Sequence, residues 1–498
     1  MNESYKKLID HFGKLAHIEH ALTFLQWDHM VMMPPGGNSS RSAAIAELTS
    51  LHHQQLTSEK TAELLEEAHA TTPIEQQSIK EMRREYQQAI CLPDDLVRAQ
   101  SLAGSKCEHD WRGQRQENDW NGFLHNFKEV VSLARQEAQA RFDTAITPLD
   151  TPYDAMLELY CIGDSAGFIA DIFARLRSEL PPLIHLVMEQ QKTVTKPHFT
   201  SPYTLESQKN LSHQLMKSLG FNFDQGRMDV SAHPFSTGCR GDQRITTRFR
   251  DNDFLDALLS TAHETGHASY EAGLPEEWDN LPIGRARNLS LHESQSLLFE
   301  KQIFLSAPFL RHFTSFIHKH LPTTSTYCGR QIRDAAISVQ PSYIRVEADE
   351  VTYPLHIILR FEIEKELING VIKADDIPEL WDQKMQEYLG LSTKDNYKDG
   401  CMQDMHWTDG SFGYFPSYTM GALNSAQFFA TIKKANPNWK NNLDAGDISF
   451  ATQWLHENIW SKASSMDAQE IIIAATGEKT NADFFINHLN ERYIKNLY

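Results

Sequence analysis

The sequence has little cysteine: six residues in 498, namely Cys91, Cys107, Cys161, Cys239, Cys328 and Cys401. None forms a C-x-x-C pair, which excludes a zinc knuckle and a dithiol redox motif. So sparse a set fits reduced thiols, and a cytoplasmic location is the expectation. Long apolar runs are lacking too. None approaches the roughly 20 residues that cross a bilayer. The opening stretch MNESYKKLIDHFGKLAHIEH is polar, without the hydrophobic centre of a secretory signal. Positive charge is in deficit, with 47 Lys and Arg against 66 Asp and Glu, a net charge of −19. Nucleic acid and anionic membranes recruit basic surfaces, so neither is expected as a constitutive partner. What remains is 41% hydrophobic and 23% charged, the mixture of an ordinary globular protein.

The periodicity is overwhelmingly helical. Tyr5, Leu8, Ile9, Phe12, Leu15 and Ala16 recur at three- and four-residue spacings and predict a helix over 4–26. Met33-Pro34-Pro35-Gly36-Gly37-Asn38 breaks it, and a new helix is expected from about Ser40. The amphipathic style returns over 77–103, 119–142 and 165–192, where Pro181-Pro182 should interrupt or kink the last stretch. Residues 354–368 and 466–476 are also expected to be helical. One stretch differs. From Met228 to Arg250, turn glycines (Gly238, Gly241) precede the alternation Ile245, Thr247, Phe249, which predicts a small β-sheet. No repeat or long polar linker divides the chain. The expected organisation is one mostly helical catalytic unit over 1–498, in two lobes around a groove.

The chemistry centres on residues 254–272, FLDALLSTAHETGHASYEA. Asp253 is a plausible N-cap and Gly273 a plausible terminator. Inside lies His263-Glu264-Thr265-Gly266-His267. On a helix, positions i and i+4 share one face, so both imidazoles can bind one Zn²⁺ without distorting the backbone. Zinc lowers the pKa of a bound water to about 7, and Glu264, beside the first ligand, can take its proton. A helix with two surface histidines is the bland alternative in a chain with 23 histidines. A catalytic zinc needs a third protein ligand. The residues after His267 are ASYEAG, so the downstream His of H-x-x-G-x-x-H is absent. The next candidate segment, NLSLHESQSLLFEKQIF over 288–304, offers Glu293, 26 residues beyond His267, with His292 and Glu300 as rivals.

These motifs resemble the thermostable-carboxypeptidase (carboxypeptidase Taq, M32) family. His263-Glu-Thr-Gly-His267 followed by His292-Glu293-Ser294-Gln295 carries the likeness. His233-Pro234-Phe235 joins it, as does Asp242-Gln243-Arg244-Ile245-Thr246 as D-x-R-x-T. Ile344-Arg345-Val346-Glu347-Ala348-Asp349 fits I-R-x-x-A-D, and the run from Gly400 through Gln403-Asp404 to His406-Trp407 fits G-x-x-Q-D-x-H-W. Phe412 to Tyr418, Trp27-Asp28 and Met33 to Gly37 agree too. The resemblance implies a mostly α fold, with two helical lobes flanking a long groove and a small sheet at the active site. That architecture is similar to neurolysin and angiotensin-converting enzyme. It implies Glu293 as the third ligand, with zinc or cobalt as the metal. It also implies a homodimer that releases single C-terminal residues from peptides with broad tolerance.

Roles for further residues follow as expectations. His406, Tyr414 and Tyr418 are candidates to stabilise the developing oxyanion, against a purely structural aromatic cluster. A free α-carboxylate calls for the planar fork of an arginine. Arg345 is the first candidate and Arg244 the second. Arg345 could instead pair with Asp349 for structure alone, while Asp242 and Thr246 are expected to support the sheet. The partner that fixes the ligand imidazoles is unassigned. A dipeptidyl carboxypeptidase or endopeptidase on the same scaffold, and a non-catalytic helical scaffold, are the competing readings.

Overall fold

A computed structural model describes residues 3–193, 197, 199 and 202–495. Its architecture is mostly helical, with one small sheet. The opening helix runs Glu3–Val31, and the Pro-Pro-Gly-Gly segment forms a 3₁₀ turn before the helix Asn38–Leu56. The periodic stretch over 77–103 is divided between two helices, Pro73–Ile90 and Asp94–Gln116. Pro93 explains the division, because it has no N–H to donate and pushes the preceding residue out of helical geometry. At the second proline site the helix is not interrupted: Ala166–Gln191 runs through Pro181-Pro182. Its buried face carries Leu176, Leu180, Leu183, Ile184 and Val187. Burial at about 1.5–3 kcal/mol per side chain outweighs the cost of about 3 kcal/mol for an interior proline.

The sheet has three strands, β1 (Gly226–Val230), β2 (Phe235–Cys239) and β3 (Asp242–Thr247), in the order β1-β3-β2. β1 pairs in parallel with β3, and β2 pairs with β3 antiparallel. The β2–β3 turn needs Gly241, whose φ of +77° favours a residue without Cβ. Ile245 and Thr247 are buried, but so is Thr246 between them, so burial does not alternate at this end, and the strand ends before Phe249. Thr246 supports the sheet as expected, its hydroxyl accepting from the Phe235 N–H at 3.0 Å. β2 and β3 lie against the helix Phe254–Ala272.

Most of the helices share one large apolar core that runs from Ala103 to Tyr493. The N-terminal helices close a separate cluster of Tyr5, Leu8, Phe12, Leu15, Leu65 and Met82, completed by Leu281 and Ile283. Among the described residues, no helix is long and apolar enough to cross a membrane.

Candidate active site

The helix Phe254–Ala272 begins where the sequence predicts. Asp253 caps it, accepting from the N–H groups of Leu255 and Asp256 at 3.1 Å. Gly273 ends it at φ −88°, so left-handed backbone is not the reason for glycine there. Space is the reason: a Cβ would sit 2.4 Å from the Trp460 ring. Gly266, inside the metal motif, is needed for the same cause. A Cβ at that position would meet the Gln295 carbonyl oxygen at 2.6 Å and the Ser296 Cα at 2.7 Å. Its absence lets the helix Leu289–Leu297 pack tightly against the first. Asn288 caps this second helix, which passes into a π-helical turn over Leu298–Phe304. Such turns are rare and occur frequently at functional sites.

This packing brings Glu293 to the two histidines. One donor atom each from His263, His267 and Glu293 lie within 4.8 Å of one another. Glu293 Oε2 is 3.4 Å from His267 Nε2 and 3.6 Å from His263 Nε2. Donors about 2.0–2.1 Å from a tetrahedral zinc stand roughly 3.4 Å apart, so the set fits a divalent ion in spacing and chemistry. Ser296 Oγ donates to the same Glu293 oxygen at 3.2 Å, and Gly421 leaves room for the side chain. A Cβ on Gly421 would lie 2.7 Å from both Cβ and Cγ of Glu293.

The two rival ligands sit elsewhere. Glu300 Oε2 contacts His263 Nδ1 at 2.9 Å, on the ring edge away from Glu293. A carboxylate there holds the proton on Nδ1 and leaves Nε2 free for a metal. Glu300 is therefore placed to fix the tautomer of His263. His292 stacks on His267 with ring centroids 4.4 Å apart and pairs with Glu271 at 2.9 Å. Nδ1 of His267 is buried and makes no hydrogen bond among the described residues.

Burial also sets the electrostatics. It pushes the Glu264 carboxyl up to about 7, with the Glu293 charge adding to the rise and His263 opposing it. Burial would lower both imidazoles; at His263 the surrounding carboxylates outweigh it and raise the ring. At His267, burial together with His292 prevails and lowers it.

Beside the triad lies a cavity of about 370 Å³ whose wall includes His263, Glu293, Arg345, Tyr353 and Tyr418. Arg345 is buried, and it pairs with Asp404 at 3.0 Å rather than with Asp349. Residues 345–347 form a 3₁₀ turn, while Asp349 accepts from the N–H groups of Val351 and Thr352. The Arg345 guanidinium also donates to the Tyr353 hydroxyl at 2.9 Å. Arg360 shares Asp404, so two buried guanidiniums face one carboxylate and the group keeps a net positive charge. Burial works to raise Asp404, and the two arginines overcome it and hold the carboxyl at about 2. Arg244 is placed differently. Its guanidinium is bidentate to Asp242, at 2.5 and 2.7 Å, and covers the Trp27 ring at 4.4 Å. It is absent from the wall of the cavity beside the triad.

His406, Tyr414 and Tyr418 are brought together. The His406 and Tyr414 rings stack 5.3 Å apart, and the Tyr418 hydroxyl reaches that of Tyr414 at 3.4 Å. Nδ1 of His406 is buried without a partner among the described residues. Burial raises the Tyr414 phenol, and the Glu293 charge raises it further. Tyr353 was missed by the sequence reading, since it stands at the start of an unremarkable helix, Tyr353–Ile368.

The sequence model of the family described as Carboxypeptidase Taq (M32) metallopeptidase matches residues 7–493. The chain belongs to the M32 metallopeptidase family. It is similar to thermostable carboxypeptidase 1 of Thermus thermophilus, 33% identical over 98% of this chain and 98% of that protein. Carboxypeptidase 1 of Bacillus subtilis is 31% identical over 99% of this chain and 98% of its own length. Among solved structures, Trypanosoma cruzi metallocarboxypeptidase 1 superposes with a TM-score of 0.96 at 35% identity, covering 99% of both chains. Pyrococcus furiosus carboxypeptidase, in a form named Apo-Mg, gives 0.95 at 33% identity over 99% of each chain. This M32 member is accordingly a peptide hydrolase, a metal-dependent carboxypeptidase with the mostly helical fold of its relatives.

Proposed function

We propose that this M32 enzyme uses zinc, with cobalt as a substitute, to release single C-terminal residues from peptides. The observation that carries the reading is the position of Arg345, a buried cation in the cavity wall that also holds His263 and Glu293. A carboxylate bound there places the last peptide bond, and only that bond, beside the triad. Held by His263, His267 and Glu293, a divalent ion would polarise the scissile carbonyl and acidify the attacking water. Glu264 takes the proton of that water and passes it to the leaving amine. Tyr414 and Tyr418 hold hydroxyls on the Glu293 side, where they can donate to a developing oxyanion. His406 positions Tyr414 by stacking on it. Broad tolerance is supported by the mixed lining of the cavity, where Leu297, Ala422 and Phe485 stand beside Ser425.

Paired peptides test the carboxylate anchor, one with a free C-terminus and one amidated. Single-residue release from the free peptide alone is expected. Equal cleavage of both would refute the anchor, and release of dipeptides would favour the dipeptidyl reading. We further take residues 1–498 as one catalytic domain of angiotensin-converting-enzyme type, in two lobes. The separate apolar cluster of the N-terminal helices supports the lobes. The chain is taken to act as a homodimer; sedimentation equilibrium at a monomer mass would overturn that.

A further inference from the structure

The wall of the active-site cavity continues from His263 to Glu300, Lys301 and Glu350. These groups are connected. Glu300 Oε2 meets His263 Nδ1 at 2.9 Å, and the other oxygen, Oε1, accepts from Lys301 Nζ at 2.6 Å. Lys301 is itself fixed at its backbone, where its carbonyl accepts from the Arg492 guanidinium. Arg492 in turn pairs with Glu350 at 2.8 Å. Two further groups converge on Glu350: His488, from the helix Ala482–Leu489, at 2.9 Å and the Tyr493 hydroxyl at 2.9 Å. The C-terminal turn Asn490–Ile494 is thereby tied to the turn that carries Glu300.

The geometry explains why such a tie matters. Glu300 follows Glu293 by seven positions, about two turns and roughly 10 Å along one face. The His263 ring fills that gap edge-on, with Nε2 toward Glu293 and Nδ1 toward Glu300. A shift of Glu300 releases the ring to rotate about its own side-chain torsions. Glu300 is a flexible side chain, and its hydrogen bond to one ring nitrogen leaves the second oxygen to be held by something else.

We infer that Lys301 is a positioning residue for the metal centre: it holds Glu300 on His263 Nδ1, and the C-terminal turn holds Lys301. This rests on the reading of His263, His267 and Glu293 as the ligands. Lys301 acts through Glu300 and is not itself a ligand.

The test is metal affinity, measured by chelator competition on the metal-free full-length chain with Zn²⁺, and with Co²⁺ for its absorption spectrum. Loss of a partner behind a metal-binding histidine typically costs about 10–100-fold in affinity. Glu300→Gln should fall in that range, and Lys301→Met should weaken binding by roughly tenfold through the same route. Lys301→Arg should restore most of the loss, because a guanidinium can still reach Glu300. The Co²⁺ spectrum of Lys301→Met should shift, reporting a changed geometry at the site. An unchanged dissociation constant and spectrum in Lys301→Met would overturn the inference, even if the melting temperature of the metal-free chain fell. Failure of Lys301→Arg to recover affinity would also overturn it. Glu293→Gln is the reference. If that variant binds Zn²⁺ as the unaltered chain does, the ligand reading fails. If Glu293→Gln loses the metal while Lys301→Met keeps it, only the positioning role fails.

Discussion

Replacing Gly421 with alanine should damage catalysis far more than folding. The helix Pro416–Ala435 crosses the back of Glu293 at Gly421. An added Cβ would lie 2.7 Å from Glu293 Cβ and Cγ and 3.2 Å from its carbonyl carbon. Ordinary carbon contacts begin at about 3.5–4.0 Å, so Glu293 must move by roughly 1 Å. Two residues further along, the same helix packs closely on Gly266, where a Cβ would meet the Gln295 carbonyl oxygen at 2.6 Å. Overpacking of this kind costs about 1–3 kcal/mol. The better helix propensity of alanine returns up to about 1 kcal/mol, so the net loss of stability should be about 0–2 kcal/mol. A catalytic group displaced by 1 Å, in contrast, can cost about 100-fold in rate. The assay is kcat/KM on a peptide with a free C-terminus, beside thermal unfolding of the metal-free chain. Gly13→Ala is the control: a Cβ there has no neighbour within 4 Å. It should leave activity unchanged and raise stability by up to about 1 kcal/mol. Unaltered kcat/KM in Gly421→Ala would refute the claim that the position of Glu293 limits the site.

Other perturbations separate the roles. Glu264→Gln should keep the metal and lose about 10²–10⁴-fold in kcat; near-normal turnover would remove Glu264 from the proton transfer. Asp404→Asn leaves Arg345 and Arg360 buried without their counter-charge, and should cost about 3–5 kcal/mol in chemical unfolding. The pH dependence has a definite sign. The carboxyl of Asp404 is held at about 2 against an ordinary 3.8, so its contribution is present above 3.8 and lost as pH falls through 2. That contribution is about 2 kcal/mol, so the stability of Asp404→Asn should lose that much less than the unaltered chain between pH 3.8 and 2, and an identical acid dependence in the two would refute the assignment. Chelation should abolish activity, and added Zn²⁺ or Co²⁺ should restore it; activity that survives exhaustive chelation would contradict metal dependence.

Local features were the most legible in the sequence. The metal helix was readable because Asp253, the apolar spacing and the histidine pair all fall within one short stretch. The sheet was readable because Gly241 marks a turn that only a few residue types make. Glu293 could be reached only by resemblance, since nothing local distinguishes it from His292 or Glu300. The contacts that decide among those three join positions far apart in the chain, Glu300 with His263 and Glu293 with Gly421. Arg345 illustrates the same limit: the nearby Asp349 was the natural partner by spacing, whereas Asp404 holds it from another segment. Pro181-Pro182 does not interrupt its helix, because the apolar face of that helix, with Leu180, Leu183 and Ile184, is buried in the main core.

The most direct test of the metal centre is anomalous diffraction at the zinc edge from a zinc-soaked crystal. The ligand assignment requires a single strong peak about 2.0–2.2 Å from Nε2 of His263, Nε2 of His267 and a carboxylate oxygen of Glu293. A peak at His292 and Glu271 instead, with none at the triad, would contradict it.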